Sequence, residues 1–264
     1  MEQSQSYSRT ELNVRRIAQP GGLLRRGEVI LLHLGFVLLL AASQGLAQET
    51  VSIPIARTQL QIQADVYGAG QNGAVQNDNA KRGIVLAHGG RFDKTSWRRQ
   101  AQRLAGTGFV VLAISFRGDR ENPDGSPGSF GSTLDNATDV LAGVEYLHKR
   151  GIKRVSAIGG SMGGDAVGEA DARSAPGDIE RIVLLGSSGG DFPAKLTGRK
   201  LFIVAREDSS GDGPRLPEIS RHYAKAPPPK ELIVLEGSAH AQYLFDTEQG
   251  PRLMEEILHF LSNP

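Results

Sequence analysis

The chain has 264 residues, 30 Lys plus Arg against 29 Asp plus Glu, and no cysteine. The missing cysteine excludes disulfides, thiolate metal sites and a cysteine nucleophile. The balanced charge excludes a broad basic surface, so no nucleic-acid partner is expected, and the length suits one large domain or two small ones.

Residues 1–47 do not read as fold. Arg15-Arg16 and Arg25-Arg26 precede an apolar run at 29–42, interrupted by His33, and Gly45-Leu46-Ala47 puts small side chains at the cleavage-site positions before Gln48. A basic start, a short apolar core and a small-residue exit make a secretory signal peptide. The run is about 14 residues, short of the roughly 20 that a membrane span needs. Cleavage after Ala47 is expected in preference to an uncleaved anchor. The expected product, 48–264, is exported to the periplasm or the exterior without stable membrane association.

From Gln48 on, β-type and helical runs take turns. Residues 51–56 and 60–67 alternate apolar and polar side chains, as an antiparallel opening pair would. Residues 68–81 are rich in Gly and Asn and read as a surface loop. The continuous apolar run at 83–87, Gly-Ile-Val-Leu-Ala, suits a strand buried on both faces, and it ends in His88-Gly89-Gly90. A helix is expected at 95–105, with Trp97, Ala101 and Leu104 at helical spacing, then a buried strand at 109–116. A Gly/Pro-rich stretch at 117–132 leads to a helix at 134–150 with Val140, Val144 and Leu147 on one face. Further strands are expected at 155–158, 182–185, 201–205 and 232–235, and helices at 216–223 and 249–261. Alternating strands and helices predict a mostly parallel sheet with helices on both faces. Sites in such sheets lie at the carboxyl ends of the strands.

Four candidate residues fall there: Gly90, Ser161, Asp208 and His240. Ser161 sits in Gly159-Gly160-Ser161-Met162-Gly163-Gly164, between the strand Arg154-Val155-Ser156-Ala157-Ile158 and a small-residue helical stretch from Asp165. A Gly-x-Ser-x-Gly turn between strand and helix exposes the hydroxyl at a sharp bend. The glycines avoid collisions, and the helix N-terminus faces developing negative charge. A flexible loop would use the same residue types, so the flanking elements carry the reading. Serine alone is a poor nucleophile near neutral pH, and His240, after the last strand, is the candidate base. Asp208 is favoured to orient that imidazole, ahead of Asp212, Glu207 and, remotely, Asp191, since any acid of a polar turn could simply be solvated. Two backbone N–H groups would form an oxyanion hole. Met162 is expected to supply one and Gly90 the other, with Arg91 the alternative to Gly90. His88 is expected to support that turn by hydrogen bonding.

The order Ser161, Asp208, His240, with the oxyanion loop upstream, resembles the α/β-hydrolase superfamily from roughly Val51 to Asn263. His88-Gly89-Gly90, Phe116-Arg117-Gly118, the helix within 137–150 and the Ser161 motif look most like its compact branch around dienelactone hydrolases and prolyl-oligopeptidase-type catalytic domains. That resemblance implies an eight-stranded sheet, a serine nucleophile at Ser161, the acid at Asp208 and the base at His240. Dienelactone hydrolases proper carry cysteine at the elbow, so serine here points away from that particular substrate. About 14 residues separate the strand ending at Leu185 from that starting at Lys200, too few for a lid domain, so minimal or no cap is expected. The expected activity is hydrolysis of small or extended soluble carboxylic esters, with no metal or organic cofactor. Arg91 or Arg120 could bind a substrate carboxylate, where a structural ion pair is the plain alternative. A peptidase or amidase on the same groups, and a non-catalytic binding module, are the competing readings.

Overall fold

The structure, a computed structural model, describes residues 14–16, 48–68, 82–117 and 135–263. Most of the expected leader, nearly all of the loop at 68–81 and of the 117–132 stretch, and with them Arg120, lie outside the described residues.

The strands in chain order are β1 Val14–Arg16, β2 Glu49–Pro54, β3 Gln61–Tyr67, β4 Arg82–Ala87, β5 Val110–Ile114, β6 Arg154–Gly160, β7 Arg181–Leu185, β8 Arg199–Ala205, the short β9 Ser209–Ser210 and β10 Gly213–Pro214, and β11 Lys230–Leu235. The helices are α1 Arg98–Ala105, α2 Asn136–Lys149, α3 Met162–Arg173, α4 Arg215–Lys225 and α5 Gly250–Ser262. The main sheet runs β1-β11-β8-β7-β6-β4-β5-β3-β2. Every neighbouring pair from β1 to β5 is parallel, and β5-β3 and β3-β2 are antiparallel. This is the α/β-hydrolase fold.

Eight of these strands form the body expected from the sequence. The ninth is β1, whose three residues pair with Leu232, Ile233 and Val234 of β11. A segment read as leader therefore supplies an edge strand. Its pairing needs only backbone groups, and an unpaired strand edge accepts any short extended segment without a hydrophobic pattern to announce it.

The central runs are apolar throughout because both faces are covered. On β8, Phe202 and Val204 join the core under α2, α3 and α4, while Leu201, Ile203 and Ala205 join the core under α1 and α5. The two-residue side-chain period assigns alternate residues to opposite faces. From α2, Val140, Val144 and Leu147 enter the first core, and from α5, Leu253, Ile257 and Leu261 enter the second. Buried charges are answered locally. Asp171 of α3 accepts from the Thr197 and Gly198 N–H groups, tying the helix to the start of β8. Asp139 meets Arg117 through its Nε at 2.6 Å and its backbone N–H at 2.9 Å. Burial raises the Asp139 and Asp171 pKa values, against these stabilising contacts.

The connection between β7 and β8 holds one short 3-10 turn, Pro193–Lys195, and no cap domain stands there. Among the described residues, the β7–β8 connection therefore puts no cap over the carboxyl ends of β6, β7, β8 and β11.

Candidate active site

Ser161 joins β6 directly to α3 with φ 51° and ψ −121°. A side chain in that region costs on the order of 1–3 kcal/mol and persists only where surrounding contacts impose it. Here they do. The Ser161 N–H donates to Leu185 O at 2.8 Å, and its carbonyl accepts from Gly164 and Asp165 at 2.7 and 3.1 Å. Close packing demands the flanking glycines: a Cβ at Gly159 would lie 2.2 Å from Gly163 O, and one at Gly163 would lie 2.3 Å from Ala87 O. Behind the turn, Asp165 accepts from Ser187 Oγ at 2.6 Å. Burial raises the Asp165 pKa, with the Ser187 hydroxyl and the Gly190 and Gly189 N–H groups opposing it.

Asp208 follows β8 and is fully buried. Its Oδ2 lies 2.8 Å from His240 Nδ1, a hydrogen bond that leaves Nε2 as the ring nitrogen free for a proton. Glu207 and Asp212 are exposed, as is Asp191 in the β7–β8 connection. Burial and this one bond separate Asp208 from the other acids. Gly186, at φ 58°, makes room for the pair: a Cβ there would stand 2.9 Å from His240 Nδ1. Arg215, which opens α4, donates its backbone N–H to Asp208 O at 2.9 Å and brings Nε within 3.6 Å of Oδ1. The carboxylate thus faces an imidazole on one oxygen and a guanidinium beside the other.

The turn after β4 supplies the remaining part. A Cβ at Gly90 would come within 3.8 Å of Met162 Sδ, so the turn and the start of α3 are neighbours. Among the described residues, neither the Gly90 nor the Met162 N–H has a backbone acceptor. His88 is fully buried; its Nδ1 sits 2.9 Å from Gly89 O, and its Nε2 accepts from the Phe116 N–H at 3.4 Å. With Nε2 accepting, Nδ1 carries the proton, and the ring is a strut for the turn.

Arg91 is exposed and makes no ion pair among the described residues. It lines a cleft of about 360 Å³ with Phe92, Arg99, Gln242 and Tyr243. Phe92 and Tyr243 pack with ring centroids 5.3 Å apart at the edge of that cleft. Arg117, by contrast, is spent on Asp139. The sequence reading missed Arg215 and Gln242. Nothing in the local sequence marks either: Gln242 bonds to Gly89, 153 residues away, and Arg215 reaches Asp208 only because the β9–β10 hairpin reverses the chain between them.

Comparison with known proteins agrees with this architecture. Residues 84–194 match the alpha/beta hydrolase family. A dienelactone hydrolase from Anabaena variabilis superposes with TM-score 0.65 at 17% identity, covering 81% of this chain and 98% of that one. An esterase from Pyrococcus furiosus gives 0.61 at 17%, covering 82% and 92%. A cold-adapted esterase from an Arctic intertidal metagenomic library gives 0.61 at 18%, covering 81% and 94%.

Proposed function

We propose that this chain, which has the α/β-hydrolase fold and resembles its dienelactone-hydrolase-like branch, is a serine hydrolase that cleaves carboxylic esters. The observation that carries the reading is the left-handed backbone of Ser161 at the β6–α3 junction, a strained conformation that makes chemical sense for a nucleophile. The buried Asp208–His240 hydrogen bond supports it. Ser161 Oγ attacks the ester carbonyl while His240 Nε2 takes its proton, and Asp208 holds the imidazole by Nδ1. Charge developing on the carbonyl oxygen is met by the Gly90 and Met162 N–H groups and by the N-terminal end of α3. Collapse expels the alcohol, protonated by His240. Water deprotonated by the same ring then releases the acid from the acyl-enzyme.

The small Pro193–Lys195 connection supports a substrate that is short or extended and enters from solvent. Arg91, which makes no ion pair among the described residues and lies beside the oxyanion turn, favours an ester bearing a carboxylate. Arg91→Gln should lower kcat/KM for such esters by roughly tenfold, the scale of one charge-assisted hydrogen bond, and leave neutral esters unchanged. Equal activity on both would remove Arg91 from substrate binding. Arg120 is the second candidate for that role. Export behind a signal peptide cleaved after Ala47 belongs to the same reading and would remove β1 with the leader, leaving the eight-stranded body; no described helix is long and apolar enough to cross a membrane.

The test is incubation of the purified protein with a fluorophosphonate, mapping the adduct by mass spectrometry, alongside turnover of p-nitrophenyl esters and peptide anilides. An adduct on Ser161 with turnover of the esters is the expected outcome. Preferential cleavage of the anilides would replace the ester reading by the amidase one. A folded protein with neither adduct nor turnover would leave a hydrolase fold used for binding.

A further inference from the structure

Gln242 lies on the 3-10 helix Ala241–Asp246, two residues after His240, and is buried to 6% exposure. Its Oε1 accepts the Gly89 N–H at 2.9 Å. Its Nε2 donates to Ser96 Oγ at 2.7 Å, and that hydroxyl donates onward to Asp93 O at 2.7 Å. The turn between these anchors is closed by the Phe92 N–H on Gly89 O at 3.0 Å. One carboxamide therefore holds both ends of the segment that contains Gly90. It also touches the elbow: a Cβ at Gly160, the residue before Ser161, would stand 2.8 Å from Oε1. The backbone is bent to deliver this side chain. Ala241, between His240 and Gln242, has φ 50°, a region that non-glycine residues avoid.

We infer that Gln242 is a positioning residue that sets the oxyanion turn from the histidine loop, so that the Gly90 N–H is aligned only when the base is in place. The inference rests on the serine-hydrolase reading. A buried amide merely filling space needs partners too. What distinguishes this one is where it lies: its partners belong to the turn carrying one proposed oxyanion donor, and it packs against the residue before the nucleophile and next to the base. The amide suits both partners, because it accepts from an N–H and donates to a hydroxyl already engaged with Asp93. A carboxylate could accept from Gly89 but would force Ser96 to release Asp93. An apolar side chain would orphan the Gly89 N–H.

The experiment compares wild type, Gln242→Met and Gln242→Glu in the full chain. It measures kcat and KM on a p-nitrophenyl ester, inhibition by a trifluoromethyl ketone and thermal unfolding. The ketone adds to the serine, and its oxyanion occupies the same hole as the transition state. Gln242→Met should lower kcat about 10- to 100-fold with KM within threefold, because misaligning a donor weakens transition-state binding selectively. Affinity for the ketone should fall in parallel with kcat/KM, and Gln242→Glu should retain more activity than Gln242→Met. Should Gln242→Met fail to fold, Ser96→Ala, which removes the far anchor alone, should reproduce the same pattern at several-fold size. Unchanged kcat, or an effect confined to a raised KM or a lowered melting temperature with ketone affinity unaltered, overturns the positioning role. Such a result beside an active wild type leaves the hydrolase reading standing. A wild type that neither turns over esters nor binds the ketone overturns both.

Discussion

Ser161→Ala should abolish fluorophosphonate labelling and lower ester turnover by about 10⁵- to 10⁶-fold, and His240→Ala should come close to it. On the proposed mechanism the two losses should not add, because nucleophile and base would act as one unit: without the base the hydroxyl stays protonated, and without the hydroxyl the base has nothing to activate. Asp208→Asn is the more informative variant. The buried Oδ2 accepts the Nδ1 proton across 2.8 Å. An amide there can present its NH₂ instead, and the imidazole then carries its proton on Nε2, facing the serine. Turnover should fall by roughly 10⁴-fold with the fold intact. Glu207→Gln and Asp212→Asn, both on exposed side chains, should change it little. Steady-state kinetics on a p-nitrophenyl ester, with circular dichroism to verify folding, decide the matter. If Asp212→Asn proved as damaging as Asp208→Asn, the assignment of the acid would be wrong.

Gly168→Ala should be the most damaging single methyl addition outside the elbow. Gly168 lies mid-way along α3, where alanine is ordinarily better than glycine by about 1 kcal/mol. The sign reverses here because a Cβ at Gly168 would meet Gly189 O at 2.0 Å, and Gly189 C and Cα at 2.6 Å. These are backbone atoms, and they cannot rotate aside. Overpacking of this kind costs up to about 3 kcal/mol or more, which leaves a net loss of about 2 kcal/mol. The melting temperature should drop by roughly 4–8 °C. Activity should fall as well, since the N-terminus of α3 carries Met162 beside Ser161. Gly211→Ala is the control. No atom lies within 4 Å of a Cβ there, so its melting temperature should stay within about 1–2 °C of wild type. A stabilised Gly168→Ala would mean that the contact between α3 and the segment after β7 is looser than the structure has it.

The alternation of elements was legible because burial writes itself into strand composition. Residues 83–87 and 201–205 are apolar throughout, since helices cover both faces, and the same runs return as β4 and β8. The opening antiparallel pair was equally readable, because one face of β2 meets solvent and its residues alternate accordingly. The turn after the strand was legible at Ser161 through its glycines, which report crowding against Gly163 and Ala87. Among the acids of that turn, the sequence ranks Asp208 ahead of Asp212 and Glu207 but excludes neither. They differ in exposure and in distance to an imidazole 32 residues further on, which composition does not record.

The layered sheet, the glycine-lined turn at Ser161, the turn at Asp208, the placement of His240 after the last strand and the short β7–β8 connection were all legible in the chain, because periodicity and glycine placement are local consequences of burial. Only the tertiary structure decided which carboxylate meets His240, that Arg215 stands beside that carboxylate, that Val14–Arg16 adds an edge strand, and that Gln242 bridges the oxyanion turn. Each of these is a contact made by a polar or backbone group, between segments far apart in the chain or, for Arg215 and Asp208, across the hairpin of β9 and β10. Such contacts depend on distance and direction in space, and no local pattern of residue types encodes them.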